Sequence, residues 1–299
     1  MIFRVHRSNL SGVSFLRYPE IALCLTKLFK NLRGYCCFLC LFAFLWVGLN
    51  IHSALSEPFN VPQRSALQER LASYPYWEPL TTTGEHKGEI HYPQWFTGTW
   101  QVTSTLVDQQ APLAPDVVSP GFEQNERWLD EPVQFPVRYL EQRLLPEFTW
   151  AVRDWVNPEV IVIPDRRFNA ESIARAYLGE RQAITSQLTL KPMPQLVTQF
   201  SPQMRLISTI TSFKQEEPNP TEFLTTELSS QQFIREQQQY LNQVETTTDY
   251  RYLGDGQIRA EQVTAIYLSP QDPDFFTARD RPIAVYKYDL LLTSQASPT

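Results

Sequence analysis

The sequence predicts a mainly β protein, an antiparallel β-barrel of about eight to ten strands with one or two short helices. Three observations predict it. From Trp100, side chains alternate without a break: Trp100, Val102, Ser104 and Leu106 fall on one side, Thr99, Gln101, Thr103, Thr105 and Val107 on the other. A period of two in a Thr- and Val-rich run is a strand with one face on a core. Strand-like segments then recur to residue 293 with two short helical patterns among them, and closing such a sheet removes its edges. All four cysteines (Cys24, Cys36, Cys37, Cys40) lie near the N-terminus, so a large core rather than disulfides must stabilise the rest.

The elements follow in chain order. Lys27, Lys30 and Arg33 precede an apolar run from Tyr35 to Leu49, and Ala54-Leu55-Ser56 offers a small-x-small site. This reads residues 1–56 as an export signal. The alternative is an uncleaved membrane anchor through residues 35–51, at the lower edge of a bilayer-spanning length. The stretch before Lys27 is long for a leader and points to a start downstream of Met1. Residues 57–92 form an arm with prolines at 58, 62, 75 and 79 and a short helix from Ser65 to Leu71. The aromatics Tyr74, Tyr76, Trp77 and Tyr92 are expected to lie on the outside of the barrel domain, residues 93–295.

Gly98, two residues before Trp100, is expected to let backbone or a ring approach the start of the first strand. Repeated proline in 111–122 predicts an ordered loop or lid. Further strands are predicted at 133–139, 148–155, 159–163, 184–190, 204–212, 222–228, 244–252, 257–268 and 283–293. Asn169 reads as the N-cap of a helix over 170–178 with Gly179 as its stop. The Gln-rich stretch 229–242 reads as a second helix, with Phe233, Gln237, Tyr240 and Leu241 as its stripe.

Charge excludes one class of partner. Six of the 26 basic and one of the 32 acidic residues lie in 1–56, leaving 20 basic and 31 acidic residues and a net charge of −11. Such a surface repels nucleic acid. Beyond residue 56 the histidines are His86 and His91 alone, both in the arm. A Ser-His-Asp or Cys-His device on the barrel, a Cys/His zinc site and a strand-borne haem ligand therefore lack their residues. The sequence predicts no catalytic residues, no metal and no cofactor.

The polar cluster Asp165-Arg166-Arg167-Phe168-Asn169 stands before a helix. Arg166 and Arg167 could receive a carboxylate or phosphate beside the helix N-terminus. The competing reading has Asn169 capping the helix and one arginine pairing with an acidic neighbour such as Asp165. Trp100 reads as core at the barrel floor, and Thr248, Asp249, Tyr250 and Arg251 as a turn in which Asp249 bonds backbone N–H groups. Trp100, Arg166, Arg167, Asn169, Tyr177, Asp249, Tyr250 and Arg251 are the ligand-binding candidates.

Gly98-x-Trp100 and Thr248-Asp249-Tyr250 resemble the two lipocalin (calycin) signatures, which implies a barrel with strands 257–268 and 283–293 closing it. The chain departs in the long gap between Trp100 and Asp249 and in having no arginine after the last strand. Pro93-Gln94-Trp95-Phe96-Thr97-Gly98-Thr99-Trp100, Ala111-Pro112-Leu113-Ala114-Pro115, Pro120-Gly121-Phe122, Arg167-Phe168-Asn169, Ile173-Ala174-Arg175-Ala176-Tyr177, Val244-Glu245-Thr246-Thr247-Thr248 and Gln262-Val263-Thr264-Ala265-Ile266-Tyr267-Leu268 resemble an uncharacterised family of cyanobacteria and plant chloroplasts. That resemblance implies an oxygenic phototroph and a thylakoid-lumen or periplasmic home, and it brings no catalytic residues.

Two functions follow as expectations. One is a non-enzymatic accessory or assembly protein for photosynthetic (thylakoid) membrane complexes, contacting them through the aromatic arm and the 111–122 loop. The other is a carrier or sensor of a small apolar ligand such as a lipid, quinone or pigment inside the barrel.

Overall fold

Strand β1 (Gly98–Gln110) buries Trp100, Val102, Ser104 and Leu106 and leaves the alternate residues half-exposed, as the period of two requires. The structure, a computed structural model, describes residues 64–79, 89–144, 158–179, 184–190 and 194–295. The export signal or anchor, the start of the arm, His86 and the expected strand 148–155 lie outside the described residues. Among the described residues no helix is long and apolar enough to cross a membrane.

Around β1 run β2 (Pro132–Leu144), β3 (Glu159–Pro164), β4 (Thr185–Thr189), β5 (Gln195–Ser201), β6 (Met204–Asn219), β7 (Glu222–Arg235), β8 (Gln238–Gly254), β9 (Gln257–Leu268) and β10 (Ala284–Gln295). They form one antiparallel sheet in the order β3-β2-β1-β10-β9-β8-β7-β6-β5-β4. Every pairing joins chain neighbours except β1 with β10, which holds Val102 opposite Leu292 and Ser104 opposite Leu290. The sheet curls into a half-barrel whose edges are β3 and β4. Closure is thus replaced by a cover: helix α3 (Arg166–Leu178) links the two edge strands and buries Ala170, Ile173 and Ala174 in the core. Three shorter helices, α1 (Ala66–Ala72), α2 (Phe122–Asn125) and α4 (Phe275–Ala278), decorate the sheet.

Two expectations fail locally. Residues 229–242 are not helical: β7 and β8 turn back through Glu236, whose φ is 55°, and pair Phe233 with Tyr240 and Ser229 with Val244. Gln and Ser have no strong preference against either state, so long-range pairing decides. β5 was not expected, although Leu196, Thr198 and Phe200 alternate inward; its brevity and its two glutamines hid it. The helix N-cap is Asp165, whose carboxylate accepts the Phe168 N–H at 3.2 Å, not Asn169. Gly179 ends that helix as read, at φ 95°.

The sheet is covered on both faces. Inside, the core gathers Trp100, Phe135, Leu206, Phe223, Ile258, Tyr288 and their neighbours. Outside, α1 and the residues after it bury Leu67, Leu71 and Trp77 on Leu224, Val263, Ala265, Tyr267 and Val285. Helix α1 forms because Ser65 and Gln68 make a reciprocal capping box and Leu67 and Leu71 share a face. The arm does pack on the outer face, with one correction. Tyr92 lies inside: its N–H bonds the Val162 carbonyl at 2.9 Å, which turns its ring into the interior.

Gly98 takes φ 112° and no atom lies within 4 Å of a Cβ built there. Its role is backbone conformation, not close approach. Gly98→Ala is expected to cost about 1–2 kcal/mol in urea unfolding; an unchanged midpoint refutes that.

Candidate functional site

The inner face of β7 carries the chain's least expected feature. It reads Phe223, Thr225, Glu227, Ser229, Gln231 and Phe233, four polar residues between two phenylalanines, and the four are all buried. The register continues this polar stripe across β8 and β9: Glu227 faces Thr246, which faces Thr264; Thr225 faces Thr248, which faces Gln262. Part of the stripe satisfies itself. Thr248 donates to Gln262 Oε1 at 3.2 Å, and Gln262 Nε2 donates to Thr264 at 3.1 Å.

Helix α3 brings a charge to this stripe. Arg166 starts the helix, and its side chain is 1% exposed. Its Nε and Nη2 donate to the Glu89 carboxylate at 2.8–3.0 Å, and Nη1 lies 3.9 Å from Glu227 Oε2. Burial pushes the Glu227 carboxyl well above the ordinary carboxylate range, with Arg166 opposing and Glu89 adding to that shift. Burial thus favours the protonated form of Glu227, while Arg166 makes its close bonds to Glu89.

Beside this pair the aromatic floor closes the interior. Tyr92, Phe96, Tyr139 and Tyr250 lie with ring centroids 4.5–6.2 Å apart, mostly edge to face. Burial raises the phenols of Tyr92 and Tyr139 well above their ordinary value and pushes Tyr250 up to about 12. They stay protonated and serve as donors. A void of about 20 Å³ lies against Tyr139, Tyr250 and Ile173, and another of about 10 Å³ against Asn125, Trp128 and Tyr177. Each is the size of about one water.

The candidates named from sequence separate into distinct places. Trp100 is core, 3% exposed, and donates its indole N–H to the Phe96 carbonyl at 2.7 Å. Asn169 is fully buried and staples α3 to β2, accepting the Arg138 N–H at 2.6 Å and donating to the Arg138 carbonyl at 3.1 Å. Arg166 pairs with Glu89 rather than with Asp165, whose partner is Arg138; Arg167 is exposed. Tyr177 packs edge-on to Trp128 at 5.2 Å. Residues 248–251 are not a turn: they sit within β8, so Tyr250 points inward while Asp249 and Arg251 point outward. Arg166 and Tyr250 thus lie at the inner site by Glu227, Trp100 belongs to the same core, and the others lie elsewhere. Sequence reading missed Glu89, Glu227, Gln231, Asn242 and Ser208.

On the outer face, Asp249 pairs with Arg251 at 2.8 Å, and burial raises the Asp249 carboxyl despite that arginine. These two line an open groove of about 850 Å³ with Arg64, Arg259, Glu261 and Asp289. A second hollow, of about 630 Å³, is lined by Pro79, Phe276, Arg279 and Arg281. Phe276 is 83% exposed there, and Tyr76, three residues before Pro79, is 86% exposed. Among the described residues no group of three or more His, Cys, Asp or Glu side chains is placed to hold a metal ion.

No curated protein and no solved structure is a significant match to this chain. A family model does match residues 84–296, from just before Glu89 to the end of β10, and so spans the half-barrel and every inner-site residue named above. By that match the chain belongs to the family described as Domain of unknown function (DUF6816).

Proposed function

We propose that this protein is an exported, non-enzymatic accessory or assembly protein that docks on protein partners through the arm side of the half-barrel. The observation that carries the reading is two exposed aromatics: Phe276, at a hollow edged by Arg279 and Arg281, and Tyr76 on the arm, three residues before the Pro79 that also lines that hollow. Aromatic residues and arginine dominate the energetics of protein interfaces. The arm that presents Tyr76 is itself fixed: Arg70 binds Glu245 through two bonds of 2.7 and 2.8 Å, and Trp77 donates to the same carboxylate at 3.3 Å. A preformed surface loses less entropy on binding. Subunits of photosynthetic membrane complexes, in the thylakoid lumen or periplasm, are the partners that the family resemblance of the motifs supports. The export reading rests on the basic and apolar leader.

The alternative of an apolar ligand in the interior fits less well, because the middle of that interior is lined by Glu227, Ser229, Gln231 and Thr246 rather than by apolar side chains.

Affinity purification of the tagged full chain from the membranes of its own host tests the proposal. The wild type is expected to retain membrane-complex subunits, and Tyr76→Ser with Phe276→Ser to lower their recovery about tenfold, the equivalent of ~1.4 kcal/mol. Recovery unchanged by the pair of substitutions overturns the docking surface. Tagged protein in the cytoplasmic fraction overturns export.

A further inference from the structure

We propose that the half-barrel holds a binding site for a small neutral molecule at Ser208, Gln231 and Asn242. The three residues lie on β6, β7 and β8, and Ser208 is directly opposite Gln231, which is directly opposite Asn242. Directly opposed residues of neighbouring strands point to the same face. Their flanking inner residues, Leu206, Ile210 and Val244, belong to the inner core, which fixes that face as the concave one. Ser208 is 1%, Gln231 0% and Asn242 1% exposed.

None of their side-chain polar atoms has a hydrogen-bond partner among the described residues. The Ser208 hydroxyl, both amide atoms of Gln231 and both of Asn242 are buried and unbonded. Native proteins pair more than about nine in ten of such groups, because a buried group without a partner loses its bonds to water and gains none in return. Five such atoms in one unbroken row exceed what folding alone selects. On the neighbouring inner positions the outcome is mixed: Thr248, Gln262 and Thr264 bond one another, whereas Glu227 Oε2 and Thr246 Oγ1 have no hydrogen-bond partner among the described residues.

The surroundings define the class of ligand. Leu196 stands opposite Ser208 at one end of the row, and Leu268 opposite Asn242 at the other. Toward the β7–β8 turn the next inner positions are Leu206, Phe233 and Tyr240, and in the other direction Ile210, Ser229 and Val244. Phe233 also faces Phe200, with ring centroids 6.5 Å apart. The row is thus the end of the polar stripe of β7, with apolar side chains at both of its ends and toward the β7–β8 turn. Glu227, the nearest acid along β7, is four residues from Gln231, about 13 Å at ~3.3 Å per residue. Arg235, on the same face of β7, stands four residues away in the other direction, so the row itself presents two carboxamides and a hydroxyl, donors and acceptors together. The fitting molecule is neutral, has apolar faces, and carries a carboxamide- or imide-like edge that both donates and accepts. The proposed docking surface uses none of these three residues, so either can fail without the other.

The test uses the full chain and three probes, benzamide, nicotinamide and uracil, in thermal melts, with native mass spectrometry of the protein as purified. Wild type is expected to gain several degrees with at least one probe, or to carry a neutral adduct that denaturation releases. Gln231→Leu with Asn242→Leu is expected to lose that response while melting higher than wild type without probe, since it removes unpaired buried polar atoms. Ser208→Ala, the milder change, is expected to reduce the response and keep the fold. A wild type that carries no adduct and responds to none of the probes overturns the site, leaving bound water or Gln231–Asn242 pairing as the row's use. A response that survives both variants overturns it too.

Discussion

Replacing Arg166 by alanine is expected to lower the free energy of unfolding by about 3–5 kcal/mol, because it leaves buried acids without their cation. Glu89 keeps a side chain that is 19% exposed and Glu227 one that is 3% exposed. The loss divides unequally: burial already favours the protonated form of Glu227, whereas Glu89 makes the close bonds to Arg166, so the larger share is expected to fall on Glu89. Urea denaturation of Arg166→Ala, with and without Glu89→Gln, separates the two. A cost below about 1 kcal/mol, the range of exposed pairs, shows that the cluster is solvated. The same cluster sets a pH dependence. The Glu227 pKa is higher in the fold than in the unfolded chain, so the native state binds more protons above the ordinary value of 4.5. Its stabilising contribution is complete below that value and falls as pH rises toward the raised one. Glu227→Gln is expected to flatten this part of the stability profile and to match or exceed wild type at alkaline pH. An unchanged slope places the proton elsewhere.

The fold was legible wherever one face of a strand meets water. β1 and β10 alternate apolar and polar residues, and their burial follows the letters. β7 was expected as the strand 222–228, but which of its faces is inside was not legible, for a physical reason. Its letters put Leu224, Thr226 and Leu228 on one face and Thr225, Glu227, Ser229 and Gln231 on the other. Ordinary patterning makes the first face core and the second solvent. In the structure the apolar face lies under α1 and the polar face lines the interior. A strand covered on both sides loses the contrast that pattern reading needs. Arg166 was visible as a candidate, but its partner Glu89 stands 77 residues earlier, in a stretch read as arm. No spacing rule links them. Asp249 and Tyr250 looked like one motif, yet a period of two sends them to opposite faces of the sheet.

The second large effect concerns the arm. Glu245 on β8 has a side chain 4% exposed and accepts from Arg70 Nε and Nη2, from the Tyr267 hydroxyl at 2.6 Å and from Trp77. Arg70 also lies over the Trp77 ring, 4.4 Å from its centroid. Arg70→Ala removes the only cation paired with that carboxylate among the described residues. Breaking a buried pair in this way costs about 3–5 kcal/mol, but here the fold can escape most of it by releasing the arm and letting water reach Glu245. The expected signature is therefore local. Amides of α1 lose hydrogen-exchange protection and the arm becomes a protease target, while the inner strands keep theirs. Glu245→Gln retains an acceptor for Tyr267 and Trp77 and is expected to cost less. If Arg70→Ala instead weakens protection throughout β7 to β9, the arm is an integral layer of the core. In that case the surface formed by Tyr76 and Phe276 cannot be altered without unfolding the sheet beneath it, and its contacts must be probed by crosslinking rather than by deletion.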